Sequence, residues 1–487
     1  MSDIQSLKPS SVWKHFHAIT QVPRPSGHMD AIRAFLLDYG KSLGLETYAD
    51  SVGNVIIRKP ATPGMENRKG VILQAHMDMV PQKNNDVKHD FERDPITTWI
   101  DGDWVRAKGT TLGADNGMGL AAIMAVLEDK SLRHGPLEAL ITKDEETGMD
   151  GAFGLKPGEL KGEILLNLDS EDEGQLFIGC AGGVDVNVGR GYAEESIDAD
   201  AYAAVNVVLK GLRGGHSGME INKGRANANK MMVRFLRDVA SVHGARIARM
   251  EGGNMRNAIP REAFAVLCVP KDKVDGFMEA VKQYAAVLAD EFGTIEDTLS
   301  FTASACDCPC GKVMAADEQR TLLNALYACH DGVLRYIPTI PDTVETSSNM
   351  SIVKMEEGRF EAQFLVRSSS ESMKTYLANT IESSFELAGA QVEMSGAYSG
   401  WQPDVNSPIL KSMKEVYKSL FGQEPDVEVV HAGLECGIIG AAMPGLDMIS
   451  FGPTLRSPHS PDERVFVPSV EKFYKFLVAS LENAPLK

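Results

Sequence analysis

Seven side chains able to bind a metal or move a proton stand at or just beyond the ends of apolar, strand-like runs: His76, Asp78, Asp115, Glu145, Glu146, Asp169 and His459. The run Val71-Ile72-Leu73-Gln74-Ala75 delivers His76-Met77-Asp78, and alternation along a strand points residues two apart to the same side. An imidazole there can bind a metal while Asp78 holds its other ring nitrogen. The segment Thr111-Leu112-Gly113-Ala114-Asp115-Asn116-Gly117 is glycine-rich and leads into a helix-forming run, Met118 to Leu127, which puts Asp115 at a helix N-terminus. Leu137 to Thr142 ends in Lys143-Asp144-Glu145-Glu146-Thr147-Gly148, and Ile164 to Leu168 ends in Asp169. Met448 to Gly452 runs into Ser457-Pro458-His459, ahead of an amphipathic C-terminal helix.

Two histidines with several carboxylates suit zinc, with manganese or cobalt as substitutes. The surplus of carboxylates points to two ions, typically about 3.5–4 Å apart, sharing one carboxylate with a hydroxide between them. Singly, each residue has an ordinary explanation as a helix cap, a solvated turn or a satisfied polar side chain. Five strand ends of the right chemical type favour the site over coincidence. Of the adjacent pair Glu145-Glu146, one carboxylate can ligate metal while its neighbour faces the bound water as general base.

Such ligands meet only if the elements bring them together, and in an open α/β sheet the carboxyl ends of the strands converge on one crevice. From the start to about Asn187, strand-like runs alternate with helical patterns, and the alternation resumes after about Gly396 with a helix over Ile409 to Leu420. Because His459 lies in the late segment, residues 1–187 and 397–487 are expected to form one domain, with 188–396 inserted. The insertion reads as α+β and repeats itself. Asn254-Met255 precedes a strand over Ala263 to Leu267 and a helix over Val274 to Glu291; Asn349-Met350 precedes Phe360 to Val366 and a helix over Met373 to Leu387. Upstream of each copy stand a further strand and helix, Val205 to Leu209 with Ala226 to Val242, then Leu299 to Ala303 with Glu318 to Cys329. Two βαββα units are therefore expected.

A net charge of −18 argues against nucleic acid, whose phosphates need a basic surface. No apolar run approaches the roughly 18 residues of a membrane span, and Met1-Ser2-Asp3-Ile4-Gln5 lacks the layout of a signal peptide. A cytoplasmic enzyme is expected. Seven cysteines form no disulfide framework. Cys306, Cys308 and Cys310 would share a strand face, yet no partner set for a soft metal accompanies them, so they read as buried or bystander thiols.

As a set, His76-Met77-Asp78, Leu112-Gly113-Ala114-Asp115-Asn116-Gly117, Asp144-Glu145-Glu146-Thr147-Gly148, Asn167-Leu168-Asp169 and Ser457-Pro458-His459, with the opening Val22-Pro23-Arg24-Pro25-Ser26-Gly27, resemble the motifs of the dinuclear zinc aminoacyl-histidine dipeptidases. These are grouped with carnosinases, aminoacylases and glutamate-releasing carboxypeptidases, and the resemblance spans essentially the whole chain. It implies an α/β catalytic domain with a central mixed sheet flanked by helices, and an inserted α+β lid. It also implies two Zn²⁺ per chain, with Co²⁺ or Mn²⁺ as substitutes. His76 and Asp169 would bind one ion, Glu146 and His459 the other, and Asp115 would bridge. Asp78 would orient His76, and Glu145 would be the base.

The same resemblance assigns residues of the insertion. Gly214-Gly215-His216-Ser217-Gly218 and Asn257-Ala258-Ile259-Pro260 match motifs whose His stabilises the oxyanion and whose Asn holds substrate. Phe364-Leu365-Val366-Arg367 matches the motif whose Arg grips the substrate's terminal carboxylate, where the first copy has Pro270. A bidentate guanidinium suits that landmark. His431-Ala432-Gly433-Leu434-Glu435-Cys436-Gly437 also matches, with Glu435 either receiving a free amino group or serving the turn. The expected activity is hydrolysis of unblocked dipeptides, Xaa-His among them, by a metal-bridged water that Glu145 activates, with the lid measuring substrate length. An aminoacylase or an amino-acid-releasing carboxypeptidase would use the same metal site. A catalytically dead binding protein would have no need of a base beside the metal water. The duplication leaves a monomer and a homodimer both open.

Overall fold

The computed structural model describes residues 3–307 and 310–487, and all counts below are made among the described residues. The chain divides into two compact units: Met1–Gly179 with Trp401–Val429 and Leu434–Lys487, and Cys180–Gly400 with Val430–Gly433.

The first unit is built on a mixed eight-stranded sheet in the order Glu46–Ala49, Val55–Lys59, Leu137–Thr142, Val71–His76, Ile164–Asn167, Asp447–Ser450, Gln175–Cys180, Asp426–Val430. The third to sixth of these run parallel to one another. Every residue of Leu137–Thr142, Val71–His76 and Ile164–Asn167 is buried. That is why they read as near-continuous apolar runs rather than alternating ones: parallel strands are covered on both faces. Their register sets the carboxyl ends level, with His76 opposite Thr142, Gln74 opposite Asn167, and Ser450 opposite Asn167. The helix Ala114–Glu128 is buried from Asn116 to Leu127. At Gly119 it passes so close to the end of Ile164–Asn167 that a Cβ would clash with the Leu168 carbonyl oxygen, so glycine is what lets Asp115 and Asp169 approach.

In the second unit the main sheet runs Ser300–Ala305, Tyr202–Lys210, Ala263–Pro270, Arg246–Gly252, Val344–Glu356, Arg359–Ser368, Gly182–Gly191, Gln391–Tyr398, with Gly332–Tyr336 paired to Val344–Glu356. Burial alternates along Tyr202–Lys210, where Val205, Val207 and Leu209 are buried and Asn206 and Val208 less so. One face therefore carries the core, with the helices Ala228–His243, Val274–Phe292, Ala316–Ala328 and Glu371–Glu386 contributing Phe235, Phe277, Leu322 and Phe385 to it.

Two expectations are corrected here. The run Leu299 to Ala303 does not open a second copy: Ser300–Ala305 pairs with Tyr202–Lys210 and closes the first half of the sheet. The corresponding place in the second half, beside Arg359–Ser368, is taken by Gly182–Gly191. Each half thus has a hairpin, an inner strand and an edge strand after the helix, but the second half borrows its inner strand from ahead of the first. Cys310 is likewise no bystander, because it forms a disulfide with Cys268 across 42 residues and both are buried. Alternation along the sequence carries no information about which cysteines a fold brings together. Cys308 lies outside the described residues, and Cys306 is partly buried. Among the described residues no helix is long and apolar enough to cross a membrane.

Candidate metal centre and catalytic site

At the level carboxyl ends of the parallel strands, Asp115 stands between two histidines. Its Oδ1 lies 3.1 Å from His76 Nε2 and its Oδ2 lies 3.1 Å from His459 Nε2. Asp169 Oδ1 is 3.5 Å from the same nitrogen of His76, and Glu146 Oε2 is 2.9 Å from that of His459. The five expected ligands are therefore together, sorted as His76 with Asp169 and His459 with Glu146, and Asp115 faces both. Ligand atoms of His76, Asp115 and Glu146 lie within 4.8 Å of one another. The second oxygen of Glu146, Oε1, is buried without a hydrogen-bond partner.

The backbone that presents these groups differs from an extended strand end. Glu145 and Glu146 open a one-turn helix, Glu145–Gly148, preceded by Asp144 at φ +48°. Their side chains diverge by the angular step of a helix rather than by strand alternation. Asp115 and Asn116 have non-helical dihedrals within Ala114–Glu128. His459 sits at φ +57° in the turn between the strands Leu455–Arg456 and Arg464–Phe466. A left-handed backbone at a non-glycine residue costs on the order of 1–3 kcal/mol and concentrates at functional sites.

Asp78 lies beneath His76, with Oδ1 3.2 Å from His76 Nδ1. It also accepts from Ser26 Oγ at 2.8 Å and from the backbone N–H groups of Glu145 at 3.1 Å and Glu146 at 3.3 Å. One fully buried carboxylate thus fixes the ring and the two glutamates together. Burial opposes its charge, but the His76 imidazole, with Ser26 and the Glu145 N–H, holds its pKa at about 2.

The electrostatics are those of too many anions in one place. Burial pushes Glu145 up to about 8, helped by Glu435, Glu146 and Asp115, and raises Asp169 well above the carboxylate range. Burial lowers the basicity of His76, but Asp169, Asp115 and Asp78 outweigh it and raise the imidazole well above its usual value. Hydrogen bonds to Asp115 and Glu146 bring His459 to about 11. Without bound metal, both rings and Glu145 therefore favour the forms that hold protons at neutral pH, and Asp169 is shifted the same way. A divalent cation must displace them, so its apparent affinity rises with pH across the neutral range. Each proton released steepens the dependence by about tenfold per pH unit. Calorimetry of metal uptake in buffers of different ionisation enthalpy is expected to show net release of more than one proton per chain; pH-independent uptake would contradict this.

Glu435 stands at the start of the helix Glu435–Ala442 and is buried. Its Oε2 accepts from Gln74 Nε2 at 2.6 Å and Thr142 Oγ1 at 2.8 Å, while Oε1 has no partner. Gln74 in turn accepts from Asn167 Nδ2, and Asn167 from Ser450 Oγ, so a buried polar ladder crosses the parallel strands and ends on this carboxylate. Burial raises Glu435 to about 7, with His76 the main opposing charge.

Two further buried charges, Glu463 and Arg24, were not singled out as functional in the sequence. Both carboxylate oxygens of Glu463 accept backbone N–H groups from Leu112 to Asp115. Arg24 donates to the carbonyls of Met77, Asp78 and Gly113. Nothing in a charged turn residue signals such burial, although Arg24 falls inside the Val22 to Gly27 motif.

In the second unit, His216 ends the two-residue strand Gly215–His216, paired with Ala258–Ile259. Its Nδ1 accepts from the N–H groups of Gly218 at 3.2 Å and Met219 at 3.1 Å. These donors assign the proton to Nε2, which is left as a donor. Burial and Arg367 lower its pKa, so the ring is neutral. Asn257 is exposed, and its carbonyl accepts from Ser217 N–H at 2.8 Å. Asn349 Nδ2 holds the same loop through Ala258 O at 2.8 Å. Arg367, on Arg359–Ser368, is 5% exposed; Nη1 donates to Tyr398 Oη at 3.0 Å and Nε has no partner. His431 is buried in the same unit with Nε2 2.7 Å from Ser347 Oγ. Burial and the charge of Arg367 bring it down to about 3, so it too is neutral.

A parallel-sheet crevice lined by histidines and carboxylates is the architecture of a metal-dependent hydrolase. The model of peptidase family M20/M25/M40 matches residues 72–483, and the chain belongs to that family of peptidases. It is 45% identical over 487 residues to the cytosol non-specific dipeptidase of Escherichia coli (strain K12), covering 100% of both chains. The crystal structure of aminoacylhistidine dipeptidase from Vibrio alginolyticus superposes with a TM-score of 0.96 at 45% identity, over 100% of this chain and 99% of that one. The aminopeptidase PepT of Bacillus cereus shares the fold at a TM-score of 0.58 and 16% identity, over 98% of this chain and 99% of that one.

Proposed function

We propose that this enzyme is a dinuclear metallodipeptidase that hydrolyses unblocked dipeptides, Xaa-His among them, with two Zn²⁺ per chain or Co²⁺ or Mn²⁺ in their place. The observation that carries the reading is Asp115, whose two carboxylate oxygens face one histidine each at 3.1 Å. The donor set fits: two imidazoles, an orphaned buried oxygen on Glu146, and carboxylates raised by burial and by one another's charge, which cations would relieve. His76 and Asp169 would hold one ion, His459 and Glu146 the other, and Asp115 both. The two 45% identical relatives are named as dipeptidases, which supports the substrate class, and the Escherichia coli relative's name supports a cytoplasmic location.

Bound divalent cations lower the pKa of a water and polarise the scissile carbonyl. Glu145 takes the proton of the attacking water and delivers it to the departing amine nitrogen, so the base ends the cycle ionised. Asp78 keeps His76 and the Glu145 backbone in one orientation while this happens. The inserted domain acts as a lid: His216 gives its Nε2–H to the oxyanion, Arg367 takes the substrate's terminal carboxylate, and Asn257 holds the peptide. Glu435, with one oxygen unpartnered, receives the free amino group, which favours dipeptides over N-acylated amino acids.

A screen of metal-reconstituted enzyme tests this. Free dipeptides, including β-alanyl-histidine, should be cleaved, tripeptides and N-acetylated dipeptides poorly, and a chelator should abolish all activity until metal is restored. Faster turnover of N-acetylated substrates would turn the reading to an aminoacylase, and chelator-resistant hydrolysis would end it.

A further inference from the structure

Three segments of the proposed metal site, residues 76–78, 112–115 and 459–463, are joined by two buried charges outside the ligand set. Glu463 is 1% exposed and follows His459 by one turn of chain. Its Oε2 accepts from Leu112 N at 2.7 Å and Gly113 N at 2.9 Å, and its Oε1 from Ala114 N at 2.7 Å and Asp115 N at 3.2 Å. Four consecutive N–H groups curved around one anion form a nest. The curve depends on Gly113 at φ +69°, where a Cβ would stand 2.6 Å from Arg24 Nη2 and 2.8 Å from Met79 Sδ. Arg24, 2% exposed, grips the loop from its carbonyl side through Gly113 O. The same guanidinium donates to Asp78 O at 2.7 Å and Met77 O at 3.1 Å.

A neutral side chain cannot replace this carboxylate. Glutamine would keep one acceptor oxygen and set an amide NH₂ against two of the loop's N–H donors, leaving them buried and unpaired. The loop end that would move is Asp115, the residue facing both histidines.

Building on the dinuclear reading above, we propose that Glu463 is a positioning residue for the second metal position: by clamping the 112–115 loop it fixes Asp115 against His459, with Arg24 as the opposing half of the clamp. The ion held by His459, Glu146 and Asp115 therefore depends on a residue that need not touch it. Supporting groups of this kind are typically worth about 10–100-fold in metal affinity.

The test uses the full-length enzyme loaded with Co²⁺ and titrated against a chelator. Wild type is expected to bind two Co²⁺. Glu463→Gln is expected to bind one of the two ions, the one assigned to the His459 position, about 10–100-fold less tightly, to change the visible d–d bands of that ion, and to regain kcat in excess metal with KM for a dipeptide unchanged. Two Co²⁺ bound by Glu463→Gln with wild-type affinity and spectrum would overturn the proposal. Should that variant not fold, Gly113→Ala displaces the same nest with the carboxylate kept, and the same two outcomes decide. A wild-type enzyme that binds fewer than two ions fails the dinuclear reading itself, which separates the two failures.

Discussion

The Glu145→Gln enzyme is expected to keep its metal and to lose about 10²–10⁴-fold in kcat, the usual worth of a positioned general base. The substitution is isosteric, and Glu145 is tied by its backbone N–H to Asp78 at 3.1 Å, so the turn that also presents Glu146 stays in place. What would disappear is the proposed site that accepts a proton from water and returns it to the leaving nitrogen. In the metal-free protein, burial and the neighbouring carboxylates raise Glu145 to about 8. Cations held beside it would push that value down again and leave an ionised base at neutral pH. Metal content measured beside kcat decides the assignment. Glu146→Gln should do the reverse and lose metal, because its Oε2 faces His459 at 2.9 Å. If Glu145→Gln is the variant that loses metal, the two roles are exchanged.

How far the site could be read from sequence follows from where each residue's environment is decided. The strand-end candidate ligands were legible because parallel strands covered on both faces give near-continuous apolar runs, and the acids that follow such runs stand out. Glu145 and Glu146 likewise follow the run Leu137–Thr142, but a helical turn rather than an extended strand end presents them and makes the two carboxylates diverge. Leu299 to Ala303 has the pattern of any strand, and only pairing with Tyr202–Lys210 shows which half of the sheet it closes. Glu463 was illegible for a stronger reason. In sequence it is one more acid in a polar turn, and its burial is decided by N–H groups 351 to 348 residues away. The Cys268–Cys310 disulfide is hidden in the same way, by pairing that composition does not encode.

Arg367→Ala should raise KM for free dipeptides by a factor on the order of 30 to 5,000, corresponding to the 2–5 kcal/mol lost when one partner of a buried charge pair is removed. For the corresponding C-terminal amides it should change KM little. The contrast follows from the setting of the guanidinium. It is 5% exposed, and among its donors Nη1 is used on Tyr398 while Nε is buried with no acceptor. An unpaired buried donor of this kind is costly unless a ligand completes it. The two imidazoles placed near it, His216 and His431, are both neutral, so they add donors without adding competing acids. A substrate carboxylate would supply an anion to these donors, and an amide would not. Lysine at the same position would keep the charge but lose the planar fork, and should recover only part of the effect. Equal losses on dipeptides and their amides would mean that Arg367 holds the sheet rather than the substrate, and the Tyr398 bond would then be its function.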